Sequence, residues 1–270
     1  MITSSTNLRI REARKLQRRR GRREQGRVLI EGARLIRDAL GAGAALHQLF
    51  FLPERVDAQP LLAEIVTLAE QRGVELLACT AEALAVLCDT VTPQGVVAVA
   101  ALPDLAWPSP PAPLLILDRL RDPGNAGTLL RTAEATGVEG VVFGPETVDP
   151  YNDKVLRAGM GAHFRVPVRV AEDWPTIDAW LAPDQPVYLA EATAALAYDD
   201  VDWRGPAALV VGGEAEGASD AARRRATPLA IPMAGRVESL NAAVAGAVIL
   251  FEAARQRRMS KKIAVSAGPR

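Results

Sequence analysis

The chain has little with which to announce a partner or a compartment. Its 32 basic and 32 acidic residues cancel, so no global field selects nucleic acid, membrane or acidic substrate, and the local distribution of charge has to be read instead. Cysteine is nearly absent. Cys79 and Cys88 sit in one short apolar region, make no metal-ligand spacing and read as buried thiols of a reducing compartment. The two histidines, His47 and His163, are far apart and without a carboxylate cluster; they read as packing or surface residues, and no metal is implied. Aromatics make up 4% of the chain, too few for a base-stacking platform, and Phe50, Phe51 and Trp203 read as core. No run reaches the roughly 18 apolar residues of a membrane helix, because the longest candidate, 237–251, is broken by Glu238 and Asn241. The start of the chain is polar and arginine-rich rather than apolar like a signal peptide, so a soluble, cytoplasmic protein is expected.

What is present is a chain of 270 residues, 49% hydrophobic, which suggests about two domains with real cores. Residues 1–102 read as an alternating α/β unit. "RVLIEGARLIRDAL" has the apolar spacing of an amphipathic helix (Leu29, Ala33, Ile36, Leu40), and "LHQLFFL", "VELLACT" and "GVVAVAAL" read as strands around two further helices. The segment "PDLAWPSPPAP", 103–113, holds five prolines and marks a linker. Residues 114–258 restart the alternation with strands apolar on both faces, which implies a largely parallel, doubly covered sheet. Residues 259–270 form a basic tail, weak in structure towards its end.

Two kinds of feature point to chemistry. Ten Arg or Lys lie between Arg9 and Arg27, against Glu12 and Glu24. Clustered arginines on one element are the electrostatic footprint of nucleic-acid binding, and Arg9, Arg11, Arg14, Lys15, Arg18, Arg19, Arg22 and Arg23 are the expected RNA contacts. The second kind is a set of three polar loops that follow apolar strands, where ligands of open α/β sheets bind. In "LDRLRDPGNAGTLLRTAEATG", Asn125 is suited to cap a helix, and Arg131, flanked by Leu130 and small residues, reads as a partly buried arginine that needs an oxygen-rich partner. In "LVVGGEAEGAS", Gly212 and Gly213 allow close backbone approach, while Glu214 and Glu216 disfavour phosphate and favour a cationic or hydroxyl-rich ligand. Neither glycine fingerprint of a nucleotide fold is present, which argues against a dehydrogenase. In "LAIPMAGRVESLNAAVAGAVILFEAAR", Pro232 and Gly235 break the strand and leave backbone groups available for an adenine-like ring. Ser239 is suited to cap the last helix, and Asn241 needs hydrogen-bond partners among apolar neighbours.

Within these loops, "NAGTLLRTAEATG", "LVVGGEAEGAS" and "IPMAGRVESLNAAVAGAVILFEA", in this order and at a spacing that fills 114–255, resemble the motifs of the SpoU (TrmH) branch of the SPOUT RNA methyltransferases. The basic start and "VLIEGARLIRDAL" are similar to the ribosomal-protein-like substrate-binding domain of family members that methylate ribosomal RNA. The resemblance implies S-adenosyl-methionine-dependent methylation of a ribose 2'-hydroxyl, most simply in 23S-type ribosomal RNA. It also implies an α/β domain with a deep trefoil knot, and a homodimer with the active site at the subunit interface. Transfer RNA as substrate, or an RNA-binding assembly protein without turnover, are the alternatives. Carried over by position, the cofactor is expected at Gly212, Gly213, Ile231, Met233 and Leu240, and the catalytic set is Asn125, Arg131, Glu214, Ser239 and Asn241. Arg131 is the central residue. A guanidinium is too weak an acid to serve easily as a base, so stabilising the oxyanion and the neighbouring phosphate is its easier role. Asn125 orients the ribose, and Glu214, Asn241 and Ser239 fix Arg131 or the loops around it. Alanine and glycine from Ala242 to Ala247 read as close packing for the knot or the partner. "NAAVAGA" departs from the usual valine and serine there without touching the polar set.

Overall fold

The computed structural model describes residues 1–266 apart from Val91 and Ala215, with side chains described as far as Ser260. In chain order the first elements are α1 (Leu8–Lys15), α2 (Arg19–Gln25), β1 (Arg27–Glu31), α3 (Ala33–Gly41), β2 (Leu46–Phe51), α4 (Pro53–Val56), α5 (Pro60–Gln71), β3 (Glu75–Ala78), α6 (Ala81–Ala85) and β4 (Val96–Ala101). There follow β5 (Leu114–Asp118), α7 (Pro123–Thr136), β6 (Gly140–Phe143), α8 (Asp153–Gly159), β7 (Val168–Val170), α9 (Trp174–Asp178), β8 (Val187–Ala190), β9 (Ala208–Gly212), α10 (Asp220–Arg225), β10 (Thr227–Leu229) and α11 (Ala242–Ser266). They fall into two compact units, 1–104 together with 151–165, and 105–150 together with 166 onward. Among the described residues no helix is long and apolar enough to cross a membrane.

The first unit is built on a mixed sheet of order β1-β4-β2-β3, in which only β2 and β3 run parallel. Its strands alternate between two cores, as a period of two requires. On β4, Val96, Ala98 and Ala100 join a cluster with α3 and α5, while Val97 and Val99 face Ile10, Leu16, Leu84 and Cys79. The same alternation corrects the reading of "RVLIEG" as helix. Val28 and Ile30 enter the first cluster and Leu29 packs on the second, so β1 is a strand, and the helix begins only after Gly32. The basic stretch is likewise two helices. A second difference concerns 151–165, which the linker-based division assigned wholly to the second half of the chain. Leu156 of α8 and Phe164 bury themselves in the first unit's core. Arg157 of α8 pairs with Asp89 at 3.0 Å and Asp153 at 3.2 Å and stands 3.8 Å from Glu31. Burial and the neighbouring Glu31 push the Cys88 thiol up to about 12, and burial raises Cys79 to about 11.

The second unit carries a six-stranded sheet, β10-β8-β9-β5-β6-β7, with every pair parallel. All five residues of β5 are buried, because Leu114 and Ile116 pack with Trp174, Ile177 and Ala222 on one face while α7 and α11 cover the other. The three-residue edge strand β7 has two exposed positions and no apolar run to signal it. Helix α11 runs to Ser266, further than the expected boundary at 258; the end of the expected tail, 267–270, lies outside the described residues. Gly246 sets how closely α11 approaches its neighbours. A Cβ there would lie 2.4 Å from Cδ2 of Leu129 and 3.2 Å from Cγ2 of Val211. Valine at 246 gains a few tenths of a kcal/mol of helix propensity but overpacks a filled core at about 1–3 kcal/mol. Gly246→Val is therefore expected to lower the melting temperature, and thermal unfolding checks it.

Candidate active site

The three polar loops meet beyond the carboxyl ends of the central strands. Asp118 at the end of β5 is paired in register with Gly212 at the end of β9, which brings the start of α7 beside the glycine loop. Asp118 is fully buried, and its Oδ2 accepts from the Ser219 backbone N–H at 2.6 Å, tying β5 to the N-terminus of α10. Gly212 and Gly213 are required by contact. A Cβ on Gly212 would lie 2.5 Å from the Ala218 nitrogen, and one on Gly213 2.2 Å from the Arg119 carbonyl oxygen.

A cavity of about 490 Å³ opens between this loop, the ends of β8 and β10 and the first turns of α11. Gly212, Gly213, Ile231, Met233 and Leu240, the five expected cofactor positions, all line it, as do Glu214, Ser239 and Asn241. Val211, Leu229, Ala245 and Ile249 give it apolar walls, and its volume is that of an ordinary small-molecule site. The donor set suits a sulfonium nucleoside. Non-helical backbone from Ala230 to Asn241 offers amide and carbonyl groups, apolar walls suit a flat ring, and the Glu191 and Glu214 carboxylates suit hydroxyl and cationic groups. Glu191, which also pairs with Arg223, went unread in the sequence, although its place at the end of the strand "YLAEA" was the available signal.

The catalytic candidates divide. Asn125 donates from Nδ2 to Oε1 of Glu214 at 2.5 Å, and its Oδ1 accepts from Nδ2 of Asn241 at 3.0 Å. Asn241 in turn accepts, through Oδ1, from the backbone N–H groups of Ala243 and Val244 at 2.9 and 3.2 Å. One chain of hydrogen bonds thus runs from the N-terminus of α11 to a carboxylate, joins all three loops, and fixes which way each amide points. It also corrects both capping assignments. Asn241 caps α11, and Ser239 only lines the cavity. Asp122 caps α7, accepting from the Asn125 N–H at 2.7 Å with Pro123 as first helical residue, which leaves the Asn125 side chain free to reach across. Asn241 is exposed rather than set among apolar neighbours.

Arg131 does not join this network. It is exposed, does not line the cavity, and has no hydrogen bond or ion pair among the described residues. Six positions along α7 carry it about 120° around the helix from Asn125, so among the described residues the expected partly buried arginine facing Glu214 and Asn241 is not formed.

The basic segment also divides. Arg22 is 6% exposed and donates from Nη1 to the carbonyls of Leu16 and Gln17 at 2.9 and 3.1 Å. It staples the turn between α1 and α2, and the expectation that it contacts RNA is corrected accordingly. Arg9 pairs with Glu75 and Lys15 with Glu12, each at 2.8 Å on the surface, where such pairs contribute little. Arg11, Arg14, Arg18, Arg19 and Arg23 are exposed. Arg22→Ala is expected to cost about 1–3 kcal/mol of stability, because buried carbonyls lose their donor, and to leave the salt dependence of RNA binding unchanged. Five phosphate contacts by the exposed arginines would give a slope of log K against log salt near −3.5 on single strands, with Arg14→Ala or Arg18→Ala each reducing it by about 0.7. Filter binding across a salt series measures both. Among the described residues no cluster of His, Cys, Asp or Glu could hold a metal ion.

Comparison with known proteins places these features. Residues 112–251 match the model of the SpoU rRNA methylase family, and residues 7–98 that of an MRM3-like substrate-binding domain. The chain is 35% identical to an uncharacterized tRNA/rRNA methyltransferase of Synechocystis sp., over 95% of this chain and 94% of that one. It is 32% identical to the 23S rRNA (guanosine(2553)-2'-O)-methyltransferase RlmP of Bacillus subtilis, over 93% and 97%. Among solved structures, an S-adenosyl-methionine-bound rRNA methyltransferase from Sinorhizobium meliloti superposes with a TM-score of 0.77 at 31% identity, covering 94% of this chain and 97% of that one.

Proposed function

Because the chain belongs to the SpoU rRNA methylase family, we propose that it transfers the methyl group of S-adenosyl-methionine to a ribose 2'-hydroxyl of ribosomal RNA, using the cavity at the ends of β8 and β9. The observation that carries this reading is the Asn241–Asn125–Glu214 chain, which ties three separate loops to the wall of one cavity able to take the cofactor. Bound there, S-adenosyl-methionine would supply an electrophilic methyl. Gly212, Gly213, Ile231, Met233 and Leu240 would hold it through backbone and apolar contact.

The chain's own residues would do the rest. Asn125, locked between a carboxylate and a second carboxamide, orients the acceptor ribose without reorganising during reaction. Arg131, exposed and without a carboxylate partner among the described residues, is available to an RNA phosphate and to the charge that develops on the 2'-oxygen. Ser239 lines the cavity, and Asn241 holds the Asn125 amide against Glu214. The exposed arginines of α1 and α2 bind the RNA backbone, and the first unit recognises its shape. A trefoil knot in the segments after β9 and a homodimer paired through α11 belong to the same reading. Val244 and Phe251, seven residues apart on α11 and 49% and 51% exposed, form an apolar stripe that a second copy would cover.

Incubation with methyl-labelled S-adenosyl-methionine and ribosomal RNA, followed by alkaline hydrolysis, tests the reading. Methylation of the 2'-oxygen blocks cleavage at that nucleotide, so the label is expected in alkali-stable dinucleotides. Label in single nucleotides would mean base methylation, and RNA binding without label would mean an assembly protein. Either result overturns the proposal.

A further inference from the structure

Arg119 precedes the "NAGTLLRTAEATG" stretch and is not among the expected site residues, yet it grips both ends of the loop that carries Glu214. Its carbonyl oxygen fills the space a Cβ on Gly213 would need, 2.2 Å away. Its guanidinium reaches Glu216 at 2.7 Å from Nη2. Between these two points sits Glu214, the acceptor of the Asn125 amide, and Gly213 and Gly217 close the loop with a backbone bridge. Arg119 holds this posture at a positive φ of 60°, and Glu146, beside it, has a φ of 55°. Side-chain-bearing residues adopt that region at a cost, so the surrounding structure must enforce it. Here the Arg119 N–H donates to the Pro145 carbonyl at 3.1 Å. The Arg119 guanidinium also stands 3.4 Å from Glu146; Arg121 pairs with Glu146 at 2.7 Å and stands 3.9 Å from Glu216, so Glu146 has a second, closer cation and Glu216 depends mainly on Arg119.

We propose that Arg119 is a positioning residue for methyl transfer, clamping the 213–217 loop through Gly213 and Glu216 so that Glu214 stays in reach of Asn125. The inference rests on the activity proposed above. The positive φ supplies an unusually clean test, because glycine accepts that conformation without strain. Arg119→Gly removes the guanidinium while easing the backbone, so the variant is expected to melt no lower than the unaltered protein. Its kcat is nonetheless expected to fall about tenfold, with the Kd for S-adenosyl-methionine by calorimetry changed less than about threefold. Glu216→Gln should reproduce most of the loss, the double variant should lose no more than Arg119→Gly alone, because the Glu216 contact is already gone with the guanidinium, and Arg119→Lys should recover part of the rate.

If the unaltered protein transfers no methyl, the activity itself is refuted and the clamp with it. If it does, and Arg119→Gly turns over at the same rate, the clamp alone is refuted. Losses that multiply to about a hundredfold in the double variant also refute it, since independent effects multiply.

Discussion

Replacing Arg131 by alanine is expected to lower methyl transfer by about 10²-fold or more, the scale on which preorganised charge stabilises a developing oxyanion, while the Kd for S-adenosyl-methionine stays within about twofold. The separation of the two effects comes directly from position. Arg131 is exposed on α7, points about 120° away from Asn125 and does not line the cavity, so nothing that holds the cofactor is removed with it. The neighbours that stabilise α7, Leu129 and Leu130, are fully buried and untouched, so the variant should fold. Arg131→Lys keeps the charge but loses the planar fork that grips a phosphate in two places, and an intermediate rate is expected. Single-turnover kinetics alongside calorimetry measures both quantities. A variant that keeps its turnover would remove Arg131 from the reaction.

Gly213→Ala is expected to fail in the opposite way, by losing the cofactor. The added Cβ would meet the Arg119 carbonyl oxygen at 2.2 Å and its carbon at 3.0 Å. These are backbone atoms at the end of a fully buried strand, so the loop has to move instead. Moving it displaces Gly212, Gly213 and Glu214 from the cavity wall and pulls Glu214 from the Asn125 amide. Affinity for S-adenosyl-methionine should fall at least tenfold, equivalent to about 1.4 kcal/mol, and turnover should fall with it. Gly205→Ala serves as the control, since a Cβ there meets nothing within 4 Å; it should leave both quantities unchanged. Calorimetric titration of the two variants decides the matter.

Much of this was legible in the sequence where one local rule suffices. The apolar runs "LLILD" and "ALVVG" declare doubly covered parallel strands, and the glycines and polar residues that follow them mark the ligand end of the sheet. Polar geometry across loops was less legible. The resemblance groups Arg131 with Asn125, Glu214 and Asn241, but six helical residues are not two whole turns, and that offset turns Arg131 about 120° away from Asn125. Capping is ambiguous in the sequence for a related reason. Asp122 and Asn125 can both cap, and only the proline between them, which favours the first helical position, selects Asp122. In the basic segment, charge density said nothing about direction, so Arg22, which points inward to two carbonyls, looked like its exposed neighbours. The strand β1 was hidden because Leu29, Ala33, Ile36 and Leu40 satisfy a helical period while Val28 and Ile30 satisfy a strand, and only the packed sheet chooses between them.

The most direct test of the central claim is a mass-spectrometric map of ribose methylation in ribosomal RNA from cells lacking this gene, compared with cells in which the unaltered gene or its Arg131→Ala form is restored. The account predicts one 2'-O-methyl mark that disappears on deletion, returns with the unaltered gene and does not return with the variant. A map identical in all three strains, or a mark restored by Arg131→Ala, would contradict it.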